Sequence, residues 1–466
     1  MSRQFIVEPQ ISGDVTIGTE GDDMRVYLGH LAETGPLRKL YFGGSQEFVT
    51  LIIGKRGSGK SHTLGALVEG LATRADTTSI SDHRRRRAVL LLDPMGNFWT
   101  TEHLVTPDGP EKVRKQWASL DGWGCRPEEL NATIWLPAGF RTDNDPPTVR
   151  EFRIRVSDLD APDIADLIGI NLVKDAQGAA LSEAYSAVTE DGWMADTGRV
   201  LPRQDYGFGH LVDYLEYLRD NQAVSDHPSA TLRALIRSLR ALERQAVFSG
   251  TGTQLTELLA TGQLSVLMLP LRVGGDLRRV ITRLLIRRIL REREQASQIR
   301  QRLDVERLTD TERKRLEAEL EHRIPRTVVA LDEAQELLGE EGGEAREALE
   351  DFCLLGRNYG LSLIMATQRP TASAVSSKVR SQVDLYLIHR LLTQDDIEMV
   401  WKNLLAIYPK EVRDGSRELD FAELVRALER GQVIVSGSYA RAREPLNRII
   451  LGKVRPRISV HGGEVE

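Results

Sequence analysis

The chain has 466 residues, 41% hydrophobic and 28% charged, a balance that excludes a disordered or fibrous polymer and leaves ample apolar material for a core. Its formal net charge of -6 means that a nucleic-acid partner must be held by a local basic surface, because the overall field repels phosphate. No stretch reaches the roughly 18 apolar residues of a bilayer span, and the N-terminus has no basic region followed by an apolar one, so a cytoplasmic protein without membrane association is expected.

Residues 1–46 form short alternating segments broken by Gly and Asp (Gln4–Val7, Asp14–Ile17, Met24–Leu28), which predicts a small β module. At Phe48 the pattern changes. Phe48–Gly54 is a continuous apolar run, followed by a glycine-rich turn and a helical pattern through Leu71. Further unbroken apolar runs at Ala88–Asp93, Leu264–Leu271, Thr327–Leu331, Leu361–Thr367, Val383–Ile388 and Gln432–Val435 suit strands covered on both faces of a mainly parallel sheet. Between them, residues 140–262 are more polar, with helical patterns at Ala161–Ile168, Ala179–Val188, Leu211–Arg219 and Thr231–Leu242, and read as an inserted helical subdomain. Leu277–Leu290 predicts an amphipathic helix with Arg278, Arg279, Arg283 and Arg287 off its apolar face, continuing past a break near Thr309 and Asp310 to Glu321. The expected division is a β module at 1–46, an α/β core in two parts at 47–139 and 263–452, the insertion at 140–262 and a tail at 453–466. Cys125 and Cys353 match no metal or redox spacing and are read as reduced packing residues.

Gly54-Lys-Arg-Gly-Ser-Gly-Lys60-Ser61 matches the phosphate-loop pattern between a predicted strand and helix. Gly57 and Gly59 let backbone N–H groups wrap a polyphosphate, Lys60 supplies an ammonium to the β and γ phosphates, and the Ser61 hydroxyl ligates Mg²⁺. The candidate ATP contacts are Gly54, Arg56, Gly57, Ser58, Gly59, Lys60, Ser61 and His62. Such a loop needs a metal-side carboxylate and a group that polarises water. Thr327–Glu333 offers both, with Asp332 ending the apolar run as the acid that holds Mg²⁺ through water, and Glu333 as general base. Leu361–Pro370 predicts a strand ending in Gln368, placed to sense the γ phosphate or position water, and Asp93 is a weaker candidate for the same neighbourhood or an Asp-Pro turn.

Leu331-Asp-Glu-Ala-Gln335, Leu355-Gly-Arg-Asn-Tyr-Gly-Leu361 and Ala366-Thr-Gln-Arg-Pro370, in that order and spacing, resemble the HerA/FtsK superfamily of ring-forming ATPases, most closely its HerA-type branch. Leu91–Gly96 and Ser265–Leu271 fit the same resemblance, which covers about residues 24 to 452; Asn97 departs from it where many members carry Glu. The resemblance implies a RecA-like P-loop α/β core, a homohexameric ring with ATP between subunits, and DNA translocase or helicase activity on double-stranded DNA in the pore. It also implies a nuclease or other effector as partner, in anti-phage defence or DNA end processing. In that setting Arg357 corresponds to a residue presented in trans to the neighbour's ATP, with Arg369 and Arg380 as substitutes; the alternative for Arg357 is a surface pair with Glu350 or Asp351. Arg84–Arg87, Lys112–Lys115 and the arginines of 278–293 are basic segments open either to DNA backbone contact or to solvated and paired faces. Two other functions stay open, a nucleotide-gated scaffold that activates an effector and a VirB4-like conjugation or secretion motor.

Overall fold

Six of the apolar runs fold side by side as parallel strands, because an extended segment of Val, Ile and Leu without alternation must be covered on both faces. In the computed structural model, β1 (Val15–Thr19), β2 (Met24–Leu31) and β3 (Gly35–Gly44) precede the first of them, β4 (Val49–Ile53). Next come β5 (Ala88–Asp93), β6 (Leu264–Met268), β7 (Thr327–Leu331), β8 (Leu361–Thr367) and β9 (Leu385–Ile388), and finally β10 (Gln432–Gly437) and β11 (Ile450–Val454). The structure describes all residues except 1–4, 9, 20, 22–23, 34, 74–76, 84–85, 196–197, 339–342, 371–374, 438, 442–447 and 463–466.

The parallel strands run β9-β4-β8-β7-β5-β6 across the sheet, and every residue of the six is buried. Covering a Val, Leu or Ile side chain contributes about 1.5–3 kcal/mol, so this layer dominates the stability of the unit. β8 lies between β4 and β7, pairing Ala366 with Ile52 on one side and Ile364 with Ala330 on the other. The C-terminal ends of β4, β8, β7 and β5 therefore line one edge.

The expected β module at 1–46 does not stand apart. β3 pairs with β1 and β2, β2 pairs antiparallel with β11, and β11 and β10 continue the sheet to β9. Gly29 permits the junction, since a Cβ there would lie 2.0 Å from the Lys453 carbonyl oxygen. The boundary expected at 453 is likewise crossed by β11, and Arg455 and Arg457 beyond it are fully buried.

Two units divide the chain, one of residues 1–134, 255–270 and 285–466 and the other of 135–254 and 271–284. In the first, helix α1 (Lys60–Leu71) follows β4 and α2 (Glu111–Asp121) follows β5. The second carries α3 (Ala161–Ile168), α4 (Ala176–Ser186), α5 (Phe208–Asp220) and α6 (Ser229–Glu243), built around Ile164, Leu181, Leu215, Leu235 and Leu239. α7 (Gly275–Val305) is one long helix, and α8 (Asp310–Glu321) starts at Thr309, whose hydroxyl caps Glu312 N while the Glu312 carboxylate accepts from Thr309 N. Among the described residues no helix is long and apolar enough to cross a membrane.

The basic segments turn largely inward. Arg283 on α7 pairs with buried Asp163, itself half of the α3 capping box, and Arg278 is buried too. Arg293 donates to the carbonyls of Tyr359 and Ile324, both at 2.8 Å. Arg87 is buried and donates to Ser362 Oγ at 2.9 Å and the Gly44 carbonyl at 2.8 Å, while Arg84 and Arg85 lie outside the described residues. Arg278, Arg283, Arg293 and Arg87 are therefore corrected from candidate DNA contacts to internal ties, because a buried guanidinium serving buried acceptors has no donors left on the surface. Both cysteines are free and buried, and burial pushes the Cys353 thiol up to about 12.

Candidate active site

The loop between β4 and α1 is shaped by glycine. Gly57 and Gly59 hold φ of 76° and 113°, and a Cβ on Gly54 would meet Ser58 Oγ at 2.5 Å and the His389 Cβ at 2.6 Å. The loop leads into α1, whose first-turn N–H groups have no acceptor within the helix and form an anion site with the positive helix end. Arg56 is exposed on the loop, and Ser58 turns its hydroxyl inward to the Lys55 carbonyl at 2.7 Å, so only its backbone is open to a ligand. His62 donates from Nε2 to the Arg455 carbonyl at 2.8 Å. Burial holds it down to about 4 and therefore uncharged.

At the ends of the neighbouring strands, the predicted residues converge. Lys60 Nζ lies 3.2 Å from Glu333 Oε1, to which Gln368 Nε2 donates at 2.7 Å. Gln335 Nε2 donates to the other Glu333 oxygen at 2.7 Å, and Thr367 donates to Gln335 Oε1 at 2.8 Å. Glu333 thus sits between an ammonium and two amides, because β8 interposes Gln368 between the phosphate-loop strand and β7. Its φ of 43° makes it the one non-glycine residue in the left-handed region among the described residues, a strain on the order of 1–3 kcal/mol of the kind that gathers at reactive sites.

Ser61 Oγ donates to Asp332 at 3.2 and 3.1 Å to its two oxygens. Asp332 is fully buried, and burial, followed by repulsion from Asp93 and Glu333, pushes its carboxyl up to about 7. Asp93 accepts N–H groups of Gly96 and Phe98, both at 2.8 Å, and Met95 at 3.1 Å, and burial raises it to about 6. Both sequence-level readings of Asp93 hold: it orders the turn after β5, and it adds negative charge beside Asp332. A hydroxyl and a carboxylate offering hard oxygens, in a pocket crowded with acid, fit a divalent cation of the Mg²⁺ type.

Arg357 is placed elsewhere. It precedes β8, while Gln368 follows it, so about seven residues of extended strand, roughly 23 Å, separate the two ends. Its guanidinium pairs with Asp384, not with Glu350 or Asp351, and is 43% exposed; Glu350 pairs with Lys378 at 3.0 Å. Arg380 donates to the Val375 carbonyl at 2.7 Å.

Sequence reasoning missed Gln335 as a site residue, although it lies in a quoted motif two residues beyond Glu333. It also missed His389, which lies beneath the loop, bonded through Nε2 to Thr63 at 2.9 Å and through Nδ1 to the Gln432 carbonyl at 2.9 Å. The ring packs 3.5 Å from where a Gly59 Cβ would stand, and burial holds it down to about 3, so it supports the loop as a neutral wedge.

Comparison with known proteins agrees with this geometry. The family model of the helicase HerA central domain matches residues 49–291, which include the phosphate loop and stop before Asp332. No curated protein sequence matches the chain. Among solved structures, VirB4 of Thermoanaerobacter pseudethanolicus is similar over 95% of this chain and 98% of its own, with 14% identity and a TM-score of 0.51, a likeness of fold. Weaker likenesses are the pCW3 conjugation coupling protein TcpA (9% identity, 96% of this chain, 71% of its own, TM-score 0.38) and the genome packaging NTPase B204 from Sulfolobus turreted icosahedral virus 2 (11%, 88%, 98%, 0.31).

Proposed function

The chain belongs to the helicase HerA central-domain family, and from that premise we propose that it hydrolyses ATP between the subunits of a homo-oligomeric ring, a hexamer, to drive double-stranded DNA through the pore. Lys60 and the loop N–H groups bind the phosphates. Ser61 and Asp332 hold Mg²⁺, which when bound offsets charge on the β and γ phosphate oxygens. Glu333 takes the proton of the attacking water as the bond from the γ phosphorus to the ADP oxygen breaks. Gln368 and Gln335 fix the carboxylate that receives it. Binding of phosphate draws Lys60 from Glu333 and frees the base. The partner in this reading is a nuclease or another effector in the cytoplasm, serving anti-phage defence or DNA end processing.

The observation that carries the ring is the division of the site, with base, ammonium and metal ligands at one end of β8 and an exposed Arg357 at the other. An arginine that offsets charge on the transferring phosphoryl group must then come from the next subunit. Arg357→Ala is expected to lower turnover on the order of 10³-fold with ATP binding unchanged. Mixed with Lys60→Ala subunits, it should recover part of the activity, because intact pockets then meet intact arginines. Verified mixed rings without recovery rule out action in trans. For the motor itself, duplex DNA of any sequence should stimulate hydrolysis and the ring should displace a DNA-bound block. Affinity for duplex should fall log-linearly with salt, and stimulation without displacement favours the scaffold alternative.

A further inference from the structure

We propose that the cavity between α2 and residues 453–461 holds the base and ribose of the bound nucleotide. The inference rests on the phosphate-loop reading above and extends it to the other half of the ligand. Lys60 reaches toward Glu333, which fixes where the γ phosphate lies. The phosphate chain then runs back across the first turn of α1 toward His62, and whatever follows the α phosphate lies on the His62 side.

On that side a cavity of about 1050 Å³ opens, and Gly59 and His62 form part of its wall. Small-molecule sites span roughly 300–1000 Å³, so this one takes a nucleoside with room for water. Its cationic lining comes from Lys112 and Lys115 on α2, from Arg430 and from Lys453. The turn carrying Arg430 is tied to the phosphate loop: Gly431 N donates to the Ser58 carbonyl at 3.3 Å, and a Cβ on Gly59 would stand 3.2 Å from Gly431 N. The apolar lining includes Trp123 and Pro456, and the indole is ordered by stacking on His30, with centroids 4.1 Å apart and planes 7° apart.

The two walls are joined to each other and to α1. Gln116 on α2 donates from Nε2 to the carbonyls of Arg457 and Ser459 at 2.8 and 2.6 Å and accepts from His461 N at 3.2 Å. His62 ties α1 to the Arg455 carbonyl. The walls are therefore preorganised, which lowers the ordering cost of binding. The basic patch at Lys112–Lys115, open in the sequence to DNA contact, lines this cavity.

Calorimetric titration of the full chain with ATP and with inorganic tripolyphosphate tests the assignment. The variants are Ser119→Trp and Lys115→Trp, both at exposed α2 positions lining the cavity, where a bulky indole fills space without disturbing the core. Each should weaken ATP at least tenfold and leave tripolyphosphate unchanged, which also shows that the loop is folded. Lys60→Ala should weaken both ligands. ATP affinity unchanged in both tryptophan variants, with tripolyphosphate still bound, overturns the cavity and spares the phosphate loop. Wild-type protein that binds neither ligand overturns both.

Discussion

Two buried clusters of charge meet helix α1, and they differ in how their charge is balanced. At its first turn Lys60 and Ser61 face Glu333 and Asp332; about 13 Å further along, Glu69 faces Arg455 and Arg457. Glu69 is fully buried, yet Arg457 and Arg455 outweigh the burial and hold its carboxyl below the usual range. It accepts from Arg457 Nε at 2.8 Å, Ile458 N at 3.0 Å and Ser459 N at 3.2 Å, with Ser459 Oγ at 2.5 Å and Arg455 Nη1 at 3.4 Å. Asp332 is pushed the other way, and beside it Glu333 holds a strained backbone. Charge that is satisfied inside the chain builds structure, whereas charge left in excess is set up for a ligand.

The largest effect separates roles within the second kind of cluster. Lys60→Ala should abolish tight ATP binding, while Glu333→Gln should keep binding and lower turnover by about 10³-fold, since the first removes phosphate charge and the second only the base. Equal loss of nucleotide affinity in both would remove Glu333 from the role of base.

Breaking the satisfied cluster should act on stability. Glu69→Ala leaves two buried guanidinium groups without their carboxylate and should cost about 3–5 kcal/mol in urea denaturation. With its pKa lowered in the folded chain, Glu69 contributes stability above the ordinary carboxyl range and loses it as pH falls through the lowered value. The variant should therefore show less loss of stability on acidification than the wild type; parallel curves would show that the cluster is not what acid breaks.

The smallest effect has the opposite sign. Asp332→Asn removes one of two crowded buried acids and should stabilise the nucleotide-free chain by roughly 0.5–2 kcal/mol while ending Mg²⁺-dependent hydrolysis. A lower melting temperature would mean that Asp332 is tied into the fold as Glu69 is.

What could be read from the sequence follows the same divide. The phosphate loop, Asp332, Glu333 and Gln368 were legible because each closes a short strand and its chemistry is local. The parallel core was legible because its strands are apolar without alternation. The sheet's extension through β1–β3 and β11 was not, because β2 pairs with a strand more than 400 residues away and no local pattern encodes that pairing. The arginines of α7 were read as off the apolar face because charge usually marks water; Asp163, about 120 residues earlier, is what brings Arg283 inside. Gln335 and His389 escaped because an amide or an imidazole acquires its role only from neighbours on other strands.

The Glu69 cluster also sets a schedule for synthesis. Arg457 follows Glu69 by 388 residues, which at about 5–20 residues per second is roughly 20–80 s of translation. During that interval the helix carrying Lys60 and Ser61 has its carboxylate but not the arginines that neutralise it, and β2 awaits β11. A nascent chain stalled before residue 455 thus holds every residue of the phosphate loop without the clasp that seats its helix, so nucleotide binding should emerge late on the ribosome, well after the motif itself has left the tunnel.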